Sequence, residues 1–319
     1  MKLLLERKEV SPDTPDTFGQ TPLSLAAEYC HEGIVRLLLG RKEVNPDTPD
    51  TEYGRTPLWC AAMKGHEGIV KLLLWRKEVN PDTPDTEHGR TPLWCAAMNG
   101  RGGIVKLLLG RKEVNPDTPD TQHGRTPLWW AAMNGLEGIV KLLLERKEVN
   151  PDTPDMPFGQ TPLSLAAEYG HEGIVKLLLE RKEVNPDTPD TEHGRTPLWC
   201  AAMNDHEGIV KLLLERKEVN PDTPDTEHGR TPLWCAAMNG HGGIVRLLLG
   251  RKDLNPNTLD TRDGRTPLSW AAEYGHEGIV KLLLGRKDVN PNSSSKSGET
   301  PLTLATKKGY HRIAKLLQA

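Results

Sequence analysis

Residues 196–230 read TPLWCAAMNDHEGIVKLLLERKEVNPDTPDTEHGR, a stretch that predicts two short helices followed by a loop. Thr196 is placed to cap the first helix by accepting a hydrogen bond from a free backbone N–H. Pro197 fits the first helical position because its missing donor costs nothing there. A second helix begins near Glu207 and carries an apolar face of Ile, Val and Leu. Such a helix pair cannot bury its apolar faces alone, so we expect it to pack against further copies of itself.

The triplet Thr-Pro-Leu recurs along the whole chain. Successive triplets are 35 residues apart seven times and 34 residues apart once. A fixed period in this range is typical of a solenoid, in which each repeat packs only against its neighbours. The triplets begin at Thr21, Thr56, Thr91, Thr126, Thr161, Thr196, Thr231, Thr266 and Thr300.

The overall composition excludes several classes of protein. Of the 319 residues, 36% are hydrophobic and 27% are charged, which is enough apolar surface for a folded chain. The formal net charge of −3 gives no basic footprint for nucleic acid or an anionic membrane. No apolar run approaches the roughly 20 residues of a membrane helix, and residues 1–10 lack the anatomy of a signal peptide. We therefore expect neither nucleic acid nor a membrane as a partner.

The cysteines predict free thiols. Four of the five occupy one equivalent position of the repeat, where none has an obvious pairing partner. This pattern favours a reducing compartment and hence an intracellular, cytoplasmic protein. Other repeats have Leu or Trp at the same position, so we interpret the cysteine as a small core residue. The five are Cys30, Cys60, Cys95, Cys200 and Cys235.

The motifs of catalytic and metal sites fail to complete. His66-Glu67 begins like the zinc-binding pattern His-Glu-x-x-His, but the fifth residue is Val70 and supplies no second ligand. No phosphate-binding Gly-rich loop ending in Lys-Ser or Lys-Thr is found, and no nucleophile elbow. The sequence therefore predicts no enzyme, no cofactor and no metal.

The loops carry charged residues in rows. The Asp residues of Pro-Asp-Thr-Pro-Asp form two acidic rows, which could attract cations, although turn-forming, solvated Asp is the simpler interpretation. Arg-Lys at the end of the second helix forms a basic row beside them, partly neutralised by the Glu or Asp that follows. We interpret both rows as a solvated face whose charges screen one another.

Thr-Pro-Leu-x-x-Ala-Ala, then Gly-His, then Ile-Val-x-Leu-Leu-Leu, resembles the ankyrin repeat over essentially the whole chain. The chain departs from the family in two places. The family's histidine after Thr-Pro-Leu is Trp or Ser here, and an Arg-Lys-Glu or Arg-Lys-Asp run with a longer loop replaces the usual glycine after the second helix. The Arg-Lys-Glu-Val-Asn-Pro-Asp-Thr loop is similar to that of ankyrin arrays at the C-terminal end of fungal NACHT-type receptors.

The resemblance implies an all-α repeat solenoid of antiparallel helix pairs with hairpin-like loops, in a right-handed stack. We expect one array over 1–319, with an N-terminal half-repeat at 1–20, eight repeats beginning at the first eight triplets, and a capping repeat at 300–319. At ~10 Å per helix layer the array would be about 90 Å long. The half-repeat indicates a fragment of a longer protein. Lys307, Lys308, Arg312 and Gln318 suit the solvent-facing side of a terminal cap.

Differences between the repeats concentrate in the first helix and the loop tip. One class reads Trp-Cys-Ala-Ala-Met or Trp-Trp-Ala-Ala-Met, and the other reads Ser, then Leu or Trp, then Ala-Ala-Glu-Tyr. Trp and Met are four residues apart and share a helix face, and they switch together to Ser and Glu. Because a core position would not accept Glu, the Met position is expected to be at least partly exposed.

In the ankyrin family the first helices and the hairpin tips line a concave groove that binds partners. The resemblance places the Met and tip positions in that groove. For the Trp two interpretations stay open: it lines the groove, or it spreads over the next repeat and seals the stack. The candidate groove residues are Tyr53, Trp59, Met63, His88, Trp94, Met98, His123, Trp129, Met133, His193, Trp199, Met203, His228, Trp234 and Met238.

The resulting functional hypothesis is a non-catalytic protein-binding scaffold, the ligand-recognition array of a larger intracellular protein. The receptor resemblance implies a role in fungal innate immunity or allorecognition. The alternative is a structural spacer without a specific ligand. That alternative predicts variation spread evenly over the surface rather than concentrated on one face. We expect a monomer in solution, with end-to-end association through the uncapped N-terminus as the other possibility.

Overall fold

The computed structural model describes residues 12–318, and within this range it contains eighteen helices and no β-strand. The all-α repeat solenoid that the family resemblance implies is confirmed. The chain divides into two compact units, Met1–Met156 and Pro157–Ala319. Leu3 to Leu5, which we assigned to an N-terminal half-repeat, lie outside the described residues.

Each compact unit is a series of helix pairs. The first contains α1 (Pro22–Glu28), α2 (Glu32–Leu39), α3 (Pro57–Lys64), α4 (Glu67–Leu74), α5 (Pro92–Met98), α6 (Gly102–Leu109), α7 (Pro127–Met133) and α8 (Glu137–Leu144). The second contains α9 (Pro162–Glu168), α10 (Glu172–Leu179), α11 (Pro197–Met203), α12 (Glu207–Leu214), α13 (Pro232–Asn239), α14 (Gly242–Leu249), α15 (Pro267–Glu273), α16 (Glu277–Leu284), α17 (Pro301–Lys307) and α18 (His311–Gln318).

Inside a compact unit, equivalent helices of neighbouring repeats pack against each other. The first helices of neighbouring repeats contact one another, as α3 contacts α5, and the second helices do the same, as α4 contacts α6. The invariant apolar positions form the core, and Leu58, Val70 and Leu73 have no exposed surface. The near-constant sequence of these positions is thus explained by burial between layers.

Capping at both ends limits the first helices to seven or eight residues. The hydroxyl of Thr56 accepts the backbone N–H of Trp59 at 3.2 Å, and proline occupies the first turn of α3. At the other end Gly65 adopts a left-handed conformation with φ of 88°. Two repeats reach this conformation without glycine, at Cys30 and Asp205, with φ of 62° and 59°.

The histidine that follows this turn joins one repeat to the one before it. The Nε2 atom of His66 lies 2.9 Å from the carbonyl oxygen of Glu28, and that of His206 lies 3.0 Å from the carbonyl oxygen of Glu168. Each of these oxygens belongs to the last residue of the preceding first helix. The histidine ring therefore connects one repeat to the preceding one.

The arginine of the Arg-Lys run has a structural role that we did not predict. Nη1 of Arg111 donates to the carbonyl oxygen of Leu74 at 2.6 Å, near the end of the preceding second helix, and the same side chain pairs with Glu113 at 2.5 Å. The interpretation of this row as a solvated face was therefore wrong for the arginine. The free carbonyls at a helix C-terminus need donors, and the guanidinium supplies them.

One of the two acidic rows is also not solvated. Asp50 is 5% exposed, and its Oδ1 accepts a hydrogen bond from the backbone N–H of Tyr53 at 2.6 Å. The backbone N–H of Asp50 donates to the carbonyl oxygen of Arg55 at 3.0 Å. Asp50 thus closes the loop tip. The N–H of Thr86 in the next repeat then donates to the carbonyl oxygen of Tyr53 at 2.8 Å. A single backbone hydrogen bond therefore links these successive tips.

The other acidic row is half-buried. Oδ2 of Asp117 accepts the N–H of Asn150 in the next repeat at 3.1 Å. Its Oδ1 atom is buried, and no hydrogen-bond partner for it is found among the described residues. Burial raises the pKa of the Asp117 carboxyl, and the hydrogen bond from Asn150 opposes this in part. Asp82 and Asp187 have the same arrangement.

Candidate protein-binding face

The tryptophans of the candidate groove are buried. Trp59 and Trp199 are 6% exposed, and Trp94, Trp129 and Trp234 are 1 to 2% exposed. The indole N–H of Trp94 donates to the carbonyl oxygen of Arg125 in the next repeat at 2.8 Å. Of the two interpretations, the structure favours packing between repeats. Trp94, Trp129 and Trp234 are therefore packing residues rather than groove-lining residues, whereas Trp59 and Trp199 also border a cleft.

The guanidinium of an arginine lies over each of these rings. The guanidinium of Arg90 lies 4.6 Å from the ring centroid of Trp94, and that of Arg195 lies 4.7 Å from the centroid of Trp199. Sequence reasoning missed this arginine row, although the signal was present: all five Trp-Met repeats have Arg immediately before Thr-Pro-Leu. Two of the three Ser-Glu repeats have Gln there instead, at Gln20 and Gln160.

The methionines of the first helices lie at the edge of this packing. Met63, Met98, Met133 and Met238 are half-buried, and Met203 is 37% exposed. The partial exposure inferred from the Met-to-Glu switch is thus confirmed. Met63 packs against the buried Trp and Cys side chains, and its sulfur lies 3.2 Å from Nδ2 of Asn99.

The tip residues are half-buried, and acidic side chains lie close to them. Nε2 of His88 lies 3.5 Å from Glu87, and Nδ1 of His193 lies 3.7 Å from Glu227 in the next repeat. Tyr53 is covered by the guanidinium of Arg55 at 4.1 Å from its ring centroid. The remaining tip residues, His123 and His228, are half-buried as well.

The cysteines at the repeated position behave as core residues. Cys60, Cys95, Cys200 and Cys235 are buried free thiols, and Cys30 is exposed at a turn. Burial raises the pKa of the Cys60 thiol to about 12. A thiol held in its neutral form is a poor nucleophile and a poor metal ligand, so this position supports packing rather than chemistry.

Each compact unit has a cleft among its described residues on this face. The cleft in the first unit has a volume of about 300 Å³, and its lining includes Glu28, Arg55 and Met63. The cleft in the second unit has a volume of about 470 Å³, and its lining includes Glu168, Arg195 and Met203. Corresponding residues are 140 positions apart, which is four repeats, and each cleft adjoins a repeat of the Ser-Glu class and one of the Trp-Met class.

Within residues 12–318, no group of His, Cys, Asp and Glu side chains is arranged to hold a metal ion. In that same range, no helix has both the length and the apolar character needed to cross a bilayer. The side chains that line the clefts include thioethers, aromatic rings, guanidinium groups and carboxylates.

Comparison with protein-family models places the whole chain in one family. The model described as "Ankyrin repeats (3 copies)" matches residues 1–85, 77–155, 149–225, 217–295 and 252–319 in succession. A comparison with curated proteins finds no match. Ankyrin repeats generally mediate protein–protein interaction, and proteins built from them are typically non-catalytic scaffolds. The period, the helix pairs and the family match lead to the same conclusion: the chain belongs to the ankyrin-repeat family.

Proposed function

We propose that the chain is a protein-binding module whose partner contacts the half-buried methionines of the first helices and the neighbouring loop tips. The observation that carries this proposal is the exchange of Met for Glu at one half-buried position while the buried Leu and Val positions stay constant. A position that tolerates either apolar or charged side chains is not required for packing, so its variation is available for recognition.

The chemistry of the face supports a protein partner. Met, Tyr and Arg are enriched in the cores of protein interfaces, and the flexible thioether adapts to irregular partner surfaces. Met203 is the most accessible of these methionines. Arg195, whose guanidinium lies over the ring of Trp199, provides a pre-ordered cationic group beside it.

The test is Met98→Glu, which copies what three repeats already carry at this position. We expect the free energy of unfolding to change by about 1 kcal/mol or less. Capture of a partner from the source organism's lysate should be lost, because the new carboxylate would have to be desolvated in the interface. Lys147→Ala, an exposed change on another face, should leave capture unchanged.

A second variant separates binding from folding. Leu108→Ala removes a fully buried side chain and should cost about 2–5 kcal/mol of stability. Intact capture by Met98→Glu would place the partner elsewhere and refute the proposal. Failure of the wild-type chain to capture any protein would favour the spacer function instead.

We further propose that residues 1–319 form a single array, monomeric in solution and intracellular, belonging to a larger protein of the fungal NACHT-receptor type. The interval from Thr126 to Thr161, on either side of the boundary between the compact units, is the same 35 residues as elsewhere. The receptor type rests on the loop resemblance alone. Small-angle scattering that gives a compact particle would refute the single array. A full-length transcript without a nucleotide-binding domain would refute the receptor type.

A further inference from the structure

Three first helices end in glutamate rather than methionine, and the three carboxylates differ in their partners. Glu28 pairs with Lys64 at 3.4 Å, and Glu273 pairs with Arg265 at 2.5 Å. Glu168 accepts a hydrogen bond from the amide of Gln160 at 3.1 Å, and no cationic nitrogen of residues 12–318 lies within ion-pair distance of it. Glu168 is therefore the one of the three that lacks a counterion.

This difference has a simple origin in the sequence. In the cleft of the first compact unit, position 64 is lysine, and its ammonium neutralises Glu28. The equivalent position in the second cleft is Asn204, which carries no charge. The two clefts are thus built from corresponding residues, but a lysine pairs with the glutamate of the first cleft, and no lysine or arginine in the described part of the chain pairs with that of the second.

The surroundings of Glu168 make that missing charge significant. The carboxyl is half-buried, and burial raises its pKa against the opposing effects of Arg195 and Gln160. Arg195 is stacked on Trp199, at 4.7 Å from its ring centroid, rather than paired with the carboxylate. Glu192 adds a further negative charge at the edge of the cleft. A cation placed here would be attracted by the Glu168 carboxylate and would offset the free-energy cost of burying that carboxylate.

The cleft also offers apolar surface beside the carboxylate. Phe158, Tyr169 and Met203 line it and are 37 to 50% exposed. Lysine and arginine side chains need this combination, because their methylene stems pack on apolar surface while the charged end seeks a carboxylate. Its volume of about 470 Å³ is ample for one such side chain.

We propose that the cleft around Glu168 receives one lysine or arginine side chain of a protein partner, with the cation paired to the Glu168 carboxylate. The inference rests on the proposed protein-binding function and specifies the chemistry of the partner at one point. The corresponding cleft at Glu28 is closed to such a side chain by Lys64. The chain therefore contains an open copy and a self-neutralised copy of the same site.

The seven methionines provide reporters for both copies, since Met203 lines the open cleft and Met63 the neutralised one. The probe is N-acetyl-arginine amide, titrated against ¹³C-methyl-methionine protein in NMR spectra. N-acetyl-citrulline amide serves as the neutral isostere. We expect a saturable shift at Met203 with a dissociation constant on the order of millimolar, as befits a ligand of this size. Citrulline should bind at least about tenfold more weakly.

Two variants complete the experiment. Glu168→Gln should abolish the shift at Met203, while an unchanged Met238 signal and melting temperature show that the fold is intact. Lys64→Asn copies Asn204 into the first cleft and should create a new arginine-dependent shift at Met63. A shift that survives Glu168→Gln, or equal binding of citrulline, or no shift at Met203, overturns the inference. So does a wild-type response at Met63 equal to that at Met203.

A negative result for arginine binding at the Glu168 cleft is distinguishable from failure of the proposed protein-binding function. If Met98→Glu abolishes partner capture but arginine amide leaves Met203 unaffected, the face binds protein without a basic side chain in this cleft. If arginine amide binds at Glu168 while Met98→Glu captures as before, the cleft is real and the partner surface is elsewhere.

Discussion

The guanidinium of Arg146 donates to the carbonyl oxygen of Leu109 at 2.9 Å, 37 residues earlier in the chain. The same side chain lies 3.3 Å from the carbonyl oxygen of Val114 and pairs with Glu148. One arginine thus joins the end of a preceding helix, the loop after it and its own loop. The equivalent arginine repeats the contact with the end of the preceding helix in other layers.

Arg146→Ala should therefore destabilise the array. Two backbone carbonyls would lose a donor, and we expect a decrease in the free energy of unfolding of about 1–3 kcal/mol, measured by urea denaturation. Lys147→Ala is the matched control, because this neighbour is exposed and should change stability by about 0.5 kcal/mol or less. Equal effects of the two changes would show that the arginine bridge has no energetic importance.

Asp117→Asn should stabilise the protein. Asn257 occupies the equivalent position of a later repeat, where its Nδ2 donates to the carbonyl oxygen of Asp288 at 2.6 Å and its Oδ1 accepts from Asn290. An amide at 117 would supply a donor where the carboxylate has an unsatisfied buried oxygen. We expect an increase of about 0.5–1.5 kcal/mol in the free energy of unfolding. Glu145→Gln, an exposed acid-to-amide change, should have little effect.

The same substitution predicts a pH dependence. Because burial raises the pKa of Asp117 above its ordinary 3.8, the folded state holds this proton more tightly than the unfolded state. The stability that the protonated Asp117 carboxyl contributes is fully present below pH 3.8 and is lost as pH rises through the pKa of the folded state. The advantage of Asp117→Asn over wild type should thus be largest at neutral pH and shrink on acidification. A difference that is constant with pH would contradict this assignment.

Asp205→Gly should also stabilise the protein, because it relieves an unfavourable backbone conformation. Asp205 has a φ of 59° where most repeats have glycine, and a β-carbon is unfavourable in this conformation. The neighbouring contact is longer here as well: Nε2 of His241 is 3.3 Å from the carbonyl oxygen of Met203, against 2.9 Å for His276 and Met238. We expect a gain of about 0.5–1 kcal/mol in thermal or urea unfolding.

The reverse change is the control. Gly240→Ala places a β-carbon 2.9 Å from the ring of His276 in the left-handed conformation, so it should destabilise by about 1–3 kcal/mol. If the two substitutions shift stability in the same direction, backbone conformation does not govern this turn.

The sequence predicted the fold because each layer repeats one local pattern: a Thr-Pro cap, a glycine turn and an apolar Ile-Val-Leu stripe. Position 63 could be assigned as partly exposed from the Met-to-Glu switch alone. The contacts that run between layers were harder to predict. Burial of Trp94, the capping by Arg111 and closure of the loop tip by Asp50 all depend on which atoms the next repeat presents. The sequence pattern of a single repeat does not indicate which atoms of the next repeat lie opposite it.

The contacts between repeats recur at a fixed separation: Arg111 lies 37 positions after Leu74, and His66 lies 38 positions after Glu28. Loss of residues 57–91 would therefore bring Arg111 opposite Leu39, whose carbonyl oxygen already accepts from Arg76. Nothing new would have to evolve at the junction. Recombination between near-identical gene segments can thus change the array in steps of 35 residues. We expect natural populations to carry alleles of different length.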